Sequence, residues 1–380
     1  MQKAPPRVLH IVESLNRGAT ENWLVRMLRH ARRRRENVDW TFYCELGQTG
    51  AMDEEARALG ANVIHSPVPI GRKGAFIRAL REELRRGQYD VLHCHHDLVS
   101  AVYLLAAVGM PIRRRIVHVH NAGESVRTPN RVKQLVLRPL LRRICLITAD
   151  RIVGNSNHSL DTFLAGRTRR EGRDVVHYLG IDPTPFLRAH ADRSAFRREL
   201  GLAEDSRLLL FAGRIVPEKN PLFAVDVLAE MHQMDRSVAG VFVGSGSLVE
   251  PVCKHVADLG LGAVIRNLGW RDDIAEIMCC CDWFILPSLE QPMEGFGLVV
   301  IEAQLGGLRM LLSRGIPDGP LLPAAMFRRL PLAAGANEWA KAALELSRSP
   351  APSPTDALAA LNESPMDMDR ALAGLLALHA

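Results

Sequence analysis

Two carboxylates, Glu294 and Glu302, flank a glycine turn, Gly295-Phe296-Gly297, with seven residues between them. An apolar run at 283–286 precedes the turn and predicts a buried strand. The apolar residues after Gly297 predict a helix. A strand, a glycine turn and a helix start make an anion site, because the first helical N–H groups have no partner in their own helix. The two acids add groups that bind hydroxyls or stabilise charge at either end of such an anion. A phosphorylated sugar needs that combination.

Cations that would suit an anion stand upstream. The predicted strand at 208–212 ends in Gly213-Arg214, and Lys219 follows shortly after. Gly213 permits a sharp turn, so Arg214 and Lys219 hang over the strand end, where two cations suit a diphosphate. The alternative is that they pair with surface acids such as Glu218. Two further glycine turns follow predicted strands. Gly18 precedes a helix that Thr20 or Asn22 would cap, and Gly244-Ser245-Gly246 follows the strand ending at Val243. Neither is a G-x-G-x-x-G dinucleotide fingerprint. Histidines gather at two strand ends, His93, His95 and His96 at one and His118 and His120 at the other. Residues two apart on a strand share a side. Three readings stay open for them: a metal site, a histidine that hydrogen-bonds a substrate hydroxyl, and structurally satisfied histidines.

The elements that must position these residues follow from periodicity. Short apolar runs alternate with amphipathic stretches, the pattern of parallel α/β sheets. Strands are predicted at 7–12, 40–44, 62–65, 91–93, 116–120, 151–155 and 175–178, with helices such as 21–33, 52–59 and 76–86 between them. A second series runs through 208–212, 238–243, 264–268, 283–286 and 310–312. The break between about 182 and 207 divides the chain into two doubly wound, Rossmann-like domains, 1–185 and 186–348, facing each other across a cleft. Ligands of such sheets sit at the carboxyl ends of the strands. Residues 347–354 read as a Pro/Ser linker, and a helix at 366–379 is expected to pack back toward the first domain, so 349–380 is assigned as linker and closing helix.

The chain has 380 residues, 47% of them hydrophobic, and no apolar run approaching the ~20 residues a membrane span requires. Its opening residues lack an apolar signal core, and a cytoplasmic location is expected. Seven cysteines, with no C-x-x-C pair, read as small buried residues in a reducing compartment. Charge is uneven. Residues 1–185 hold 30 Lys and Arg against 18 Asp and Glu, while the remainder holds 18 against 24. The basic half carries clusters at 32–35, 113–115, at Arg138, Arg142 and Arg143, and at 167–170. Such asymmetry suits an anionic partner, nucleic acid or a membrane surface, or else a solvated arginine-rich face.

These motifs together resemble the family-4 retaining glycosyltransferases of the two-domain GT-B fold, above all the bacterial branch that builds capsular and exopolysaccharides. The matching residues are R-G-A-T-E at 17–21, H-V-H-N at 118–121, G-I-D at 180–182, G-R-I-V-P-E-K-N at 213–220, V-G-S-G at 243–246, L-G-W-R-D-D-I at 268–274, and D-W-F-I-L-P-S with E-G-F-G-L-V-V-I-E-A within 282–303. The resemblance implies that Arg214 and Lys219 hold the donor diphosphate, together with the backbone amides of Gly297, Leu298 and Val299. It implies that Glu302 binds the donor ribose and that Glu294 contacts the transferred sugar near the reaction centre. His120 would hydrogen-bond the donor sugar, Gly18 would admit the phosphates, and Trp270 and Arg271 would lie near the base. The chain departs from the family at Arg17, where a second glycine is common, at Leu179, and in the Gln291-Pro292 extension before Glu294.

The implied reaction is transfer of a sugar, with retention, from a UDP- or GDP-sugar to a glycan or a lipid-diphosphate-linked acceptor. Charge grows on the departing phosphate, and Arg214, Lys219 and the helix-end amides stabilise it. No D-x-D pair suits a cation at the cleft, so neither metal nor cofactor is expected. The basic first domain would hold the acceptor and dock on an anionic membrane; nucleic acid is not an expected partner. The alternatives are a sugar-nucleotide epimerase of the same fold and a catalytically weak nucleotide-sugar-binding protein.

Overall fold

The computed structural model describes residues 4–16, 18–121 and 131–380. It divides into two compact units. The first comprises Met1–Gly180 with Pro365–Ala380, and the second Ile181–Ser364.

In the first unit strands and helices alternate as β1 (Arg7–Val12), α1 (Ala19–Arg33), β2 (Asp39–Cys44), α2 (Asp53–Ala58), β3 (Asn62–His65), α3 (Lys73–Gly87), β4 (Val91–Cys94), α4 (Ser100–Ala106), β5 (Arg114–Val119), α5 (Arg131–Thr148), β6 (Arg151–Gly154), α6 (Asn157–Leu164) and β7 (Asp174–Val176). The strands form one parallel sheet in the order β3-β2-β1-β4-β5-β6-β7. The second unit runs α7 (Thr184–Arg188), α8 (Arg193–Glu199), β8 (Arg207–Ala212), α9 (Pro221–Met234), β9 (Val238–Val243), α10 (Val249–Asp258), β10 (Ile265–Asn267), α11 (Ile274–Cys280), β11 (Trp283–Leu286), α12 (Leu298–Leu305), β12 (Arg309–Ser313), β13 (Phe327–Leu330), α13 (Gly335–Leu346) and α14 (Pro354–Glu363). Its parallel sheet has the order β10-β9-β8-β11-β12-β13. The last helix, α15 (Met368–His379), belongs to the first unit.

Both sheets are doubly wound. The winding reverses between β1 and β4 in one and between β8 and β11 in the other, and such switch points open a crevice beyond the strand ends. Central strands are apolar on both faces because helices cover both. β9 (V-A-G-V-F-V) and β11 (W-F-I-L) are buried throughout. One face of the second sheet packs Phe211, Trp283 and Trp339, the other Leu210, Phe284 and Leu312. Trp339 is fully buried, with its indole N–H donated to the Pro331 carbonyl at 3.1 Å, so truncation to Ala would cost about 3–5 kcal/mol.

All twelve predicted strands are present, and β13 is an addition. Its F-R-R-L composition, with two arginines, lacks the apolar signature, yet it pairs along β12 at the sheet edge. The segment 349–380 is not a linker with one helix. Ser353 caps α14 by accepting from the Asp356 N–H, and α14 packs on α12, whereas α15 packs on α1. Thr20 and Asn22 do not cap α1. Gly18 is the N-cap, and the Asn22 side chain donates back to its carbonyl at 2.9 Å. Arg17 lies outside the described residues.

Candidate active site

The two motif segments of the second unit leave neighbouring strands at its switch point. The segment after β8 carries Gly213, Arg214 and Lys219, and the segment after β11 carries Glu294 and the turn into α12. They meet directly, because the Lys219 ammonium and the Glu294 carboxylate form an ion pair. Lys219 is thus not held by Glu218, the surface acid beside it. Glu218 supports the junction through its carbonyl, which accepts from the Leu289 N–H at 2.9 Å. Arg214 is exposed and has no ion pair to a described residue.

The loops around this pair are stitched to one another. The Ile215 N–H donates to the Ser245 carbonyl at 2.9 Å, and Gly244 N–H to the Gly269 carbonyl at 2.8 Å, which joins the loops after β8, β9 and β10. Gly244 adopts φ 139°, and a Cβ there would stand 1.9 Å from the Gly213 carbonyl oxygen. No other residue fits so close an approach. The loop after β11 is tied to the loop after β12. Glu294 N–H donates to the Gly315 carbonyl at 2.8 Å, and Ser313 Oγ donates to the Ser288 carbonyl at 2.6 Å.

Gly297 takes the left-handed conformation, φ 90°, as the N-cap of α12 and accepts from the Val300 N–H at 2.9 Å. Its sharp turn aims the first N–H groups of α12, at Leu298 and Val299, out of the helix end. Glu302 lies half-buried one turn further along α12. Ammonium, guanidinium, helix start and two acids at one strand-end crevice fit a charged phosphate ester bearing hydroxyls.

Residues 20–185 match the family model described as Glycosyltransferase Family 4, and residues 192–317 the model described as Glycosyl transferases group 1. The chain belongs to these glycosyltransferase families. Among its relatives is a putative glycosyltransferase EpsF of Bacillus subtilis, 27% identical over 348 residues, covering 90% of this chain and 88% of that protein. Another is the UDP-Gal:alpha-D-GlcNAc-diphosphoundecaprenol alpha-1,3-galactosyltransferase of Escherichia coli, 27% identical over 70% of this chain and 68% of its own length. The structure of Anabaena Alr3699/HepE in complex with UDP-glucose superposes with a TM-score of 0.78 at 21% identity, over 98% of this chain and 99% of that one. The fold is that of the GT-B glycosyltransferases, with two parallel Rossmann-like domains.

Within this glycosyltransferase Trp270 and Arg271, in the loop after β10, are arranged differently from one another. Trp270 is 47% exposed and donates its indole N–H to Asp272 at 3.0 Å. The Arg271 guanidinium is committed to Asp273 and to Glu199 of α8, and these hydrogen bonds hold it charged.

At the first switch point the histidines form a core. His120, His95 and His10 link in a row, with Nε2 of His120 3.0 Å from Nδ1 of His95 and Nε2 of His95 3.0 Å from Nδ1 of His10. A second row joins His118, His93 and His379 at 3.2 and 3.0 Å. The sequence could not show that His10, His177 and His379 complete the group, because they come from β1, the β7 end and α15. Burial pushes the pKa values of all seven down, to about 3 for His120 and His379, so the imidazoles are neutral. His96 stands apart. Burial opposes its charge, but the Glu45 carboxylate outweighs that and lifts its pKa.

His120 is fixed through its backbone. Its N–H donates to Asp97 at 2.9 Å and its carbonyl accepts from the Asn155 amide at 2.8 Å. Its Nδ1 has no partner among the described residues. At Gly18, the Glu21 carboxylate folds onto the turn, where a Cβ on Gly18 would stand 2.1 Å from it, and burial raises the Glu21 pKa.

The arginine clusters are largely spent inside the fold. Arg113 donates to the His379 and Ala380 carbonyls and Arg114 to that of Leu378, closing the end of α15, while Arg34 pairs with Asp369. A basic and apolar surface remains on α5, where Leu135, Val136, Leu140 and Ile147 are exposed alongside Arg143. No helix among the described residues is long and apolar enough to cross a membrane.

Proposed function

We propose that this glycosyltransferase moves a hexose, with retention, from a nucleoside-diphosphate sugar to a glycan or lipid-diphosphate-linked acceptor in bacterial surface polysaccharide synthesis. The observation that carries this reading is the Lys219–Glu294 pair at the β8/β11 switch point, beside the start of α12. In the proposed complex Lys219 turns to the diphosphate with Arg214, and the amides of Gly297, Leu298 and Val299 complete the cradle. Negative charge then accumulates on the leaving phosphate, where these donors stabilise it without a metal ion. Glu294, released from Lys219, faces the hydroxyls of the transferred sugar, and Glu302 takes the ribose hydroxyls. His120 offers its neutral Nδ1 to the same sugar, and Gly18 lets the chain approach the phosphates. Trp270 stacks near the base, with Arg271 holding its loop.

A uridine donor is favoured by the relatives, since one is named for UDP-Gal and one structure holds UDP-glucose. The exposed apolar and basic face of α5 fits an anionic membrane bearing the acceptor.

Thermal shifts with UDP-, GDP- and ADP-sugars, followed by transfer to undecaprenyl-diphosphate-linked acceptors, test the reading. A UDP-sugar should stabilise the protein most, and the product should keep the donor's anomeric configuration. Release of a free epimerised nucleotide sugar without acceptor would replace transfer by epimerisation. Added Mg²⁺ or Mn²⁺ should not raise turnover; a tenfold rise would remove the metal-independent mechanism. Failure to float with anionic liposomes at low salt would remove the membrane contact.

A further inference from the structure

Cys44 and His65 end neighbouring parallel strands and are direct register partners. Their side chains therefore leave the same face of the sheet. Asp53, the first residue of α2, is fully buried against them. One carboxylate oxygen, Oδ2, accepts from His65 Nε2 at 2.7 Å, with the Arg57 guanidinium 3.9 Å away. The other, Oδ1, is buried and has no partner among the described residues. A buried carboxylate oxygen left empty costs desolvation that nothing returns, unless a ligand fills it.

We propose that Cys44, Asp53 and His65 form a binding site for a divalent transition-metal ion of the zinc class, separate from the sugar-transfer site. A ligand atom from each lies within 4.8 Å of the other two. Zinc bonds of about 2.3 Å to sulfur and 2.0–2.1 Å to nitrogen and oxygen place tetrahedral ligands about 3.3–3.6 Å apart, so closure needs side-chain movements of about an ångström. The donor set suits the charge. A thiolate and a carboxylate cancel two positive charges, and a neutral imidazole completes three ligands.

The neighbouring histidine core makes the opposite case. His10, His93 and His379 also converge, but all are neutral and fully buried, with no acid among them. A divalent ion there would be buried without counter-charge, which is expensive. At the proposed site the side chain of His65 is 26% exposed, which gives the ion a route in and leaves a fourth position for water.

Without an ion, burial pushes the Cys44 thiol up to about 12, so it stays protonated. Binding exchanges that proton for the metal: the S–H bond breaks, the sulfur–metal bond forms, and the proton leaves to solvent. The ion would join α2 to the ends of β2 and β3, fixing the loop between them at the carboxyl edge of the first sheet.

Titration of the metal-depleted full chain with Co²⁺ tests this. The expected result is one equivalent bound with thiolate-to-cobalt charge-transfer absorption, displaced by Zn²⁺, with a rise in Tm. Cys44→Ala should abolish the absorption, and Cys253→Ala, at the exposed thiol, should leave it intact. His65→Ala should weaken binding at least about 100-fold, beyond the ~10–100-fold that outer partners cost. No charge-transfer band in the wild type, or its survival in Cys44→Ala, overturns the proposal. If Cys44→Ala does not fold, His65→Ala decides, and affinity within threefold of wild type overturns it.

Discussion

The two switch points share a topology and differ in almost everything placed on it. At β8/β11 an ammonium, a guanidinium and a carboxylate stand over glycine turns that bring backbone to backbone. At β1/β4 the corresponding strands carry His10, His93 and His95 into a sealed, neutral core closed by Trp23 and α15. The second site holds charged side chains, Lys219 paired with Glu294 and Arg214 exposed. The first spends polar side chains on packing and leaves ring nitrogens such as His10 Nε2 and His118 Nε2 without partners among the described residues. One winding therefore supports both an electrostatic cradle and a charge-intolerant core, and the residues at the strand ends decide which.

Acid should separate the two most strongly. The seven core histidines have folded pKa values below the unfolded value of about 6.5, so the unfolded chain takes up protons first as pH falls. Their contribution is present above about pH 6.5 and is lost toward the folded values, about 3 for His120 and His379. Each can contribute a slope of up to about 1.4 kcal/mol per pH unit. Amide exchange between pH 7 and 5 should loosen β4, β5 and α15 well before β8 and β11. Equal loosening of both sheets would break the contrast, and His379→Leu should flatten the slope.

Next in size is Lys219→Ala, which should lower kcat about 100- to 1000-fold while the acid profile of the first unit stays unchanged. Glu294→Ala should also cut transfer; full activity would detach it from the reaction centre. Gly244→Ala combines a disfavoured φ with a clash, and should cost about 1–3 kcal/mol in urea unfolding while raising donor KM. Smallest is Trp270→Ala, expected to raise donor KM about two- to fivefold at constant kcat, the sign of uniform binding.

The strands were legible because buried parallel strands are nearly continuous apolar runs, and β13 escaped because Arg328 and Arg329 break its run. The members of the candidate site could be named singly from the sequence, as Gly213, Lys219 and Glu294. Their contact was not, because Lys219 and Glu294 are distant in sequence and meet only through the β8–β11 pairing. The histidines of β4 and β5 could be read in pairs, but not the rows that His10 and His379 complete. Cys44 looked like an ordinary buried cysteine because Asp53 and His65 reach it from α2 and β3.

The placement of α15 has a consequence for synthesis. The first unit is discontinuous in the chain, since its last helix follows the whole of residues 181–364. On the ribosome the histidine face of β1, β4 and β5 therefore emerges without its cover, and the entire second unit is translated before Leu372, Leu375 and His379 arrive to seal it. Closure of the first unit therefore depends on the last residues to be made, and its histidine face gains its cover only when the chain is complete.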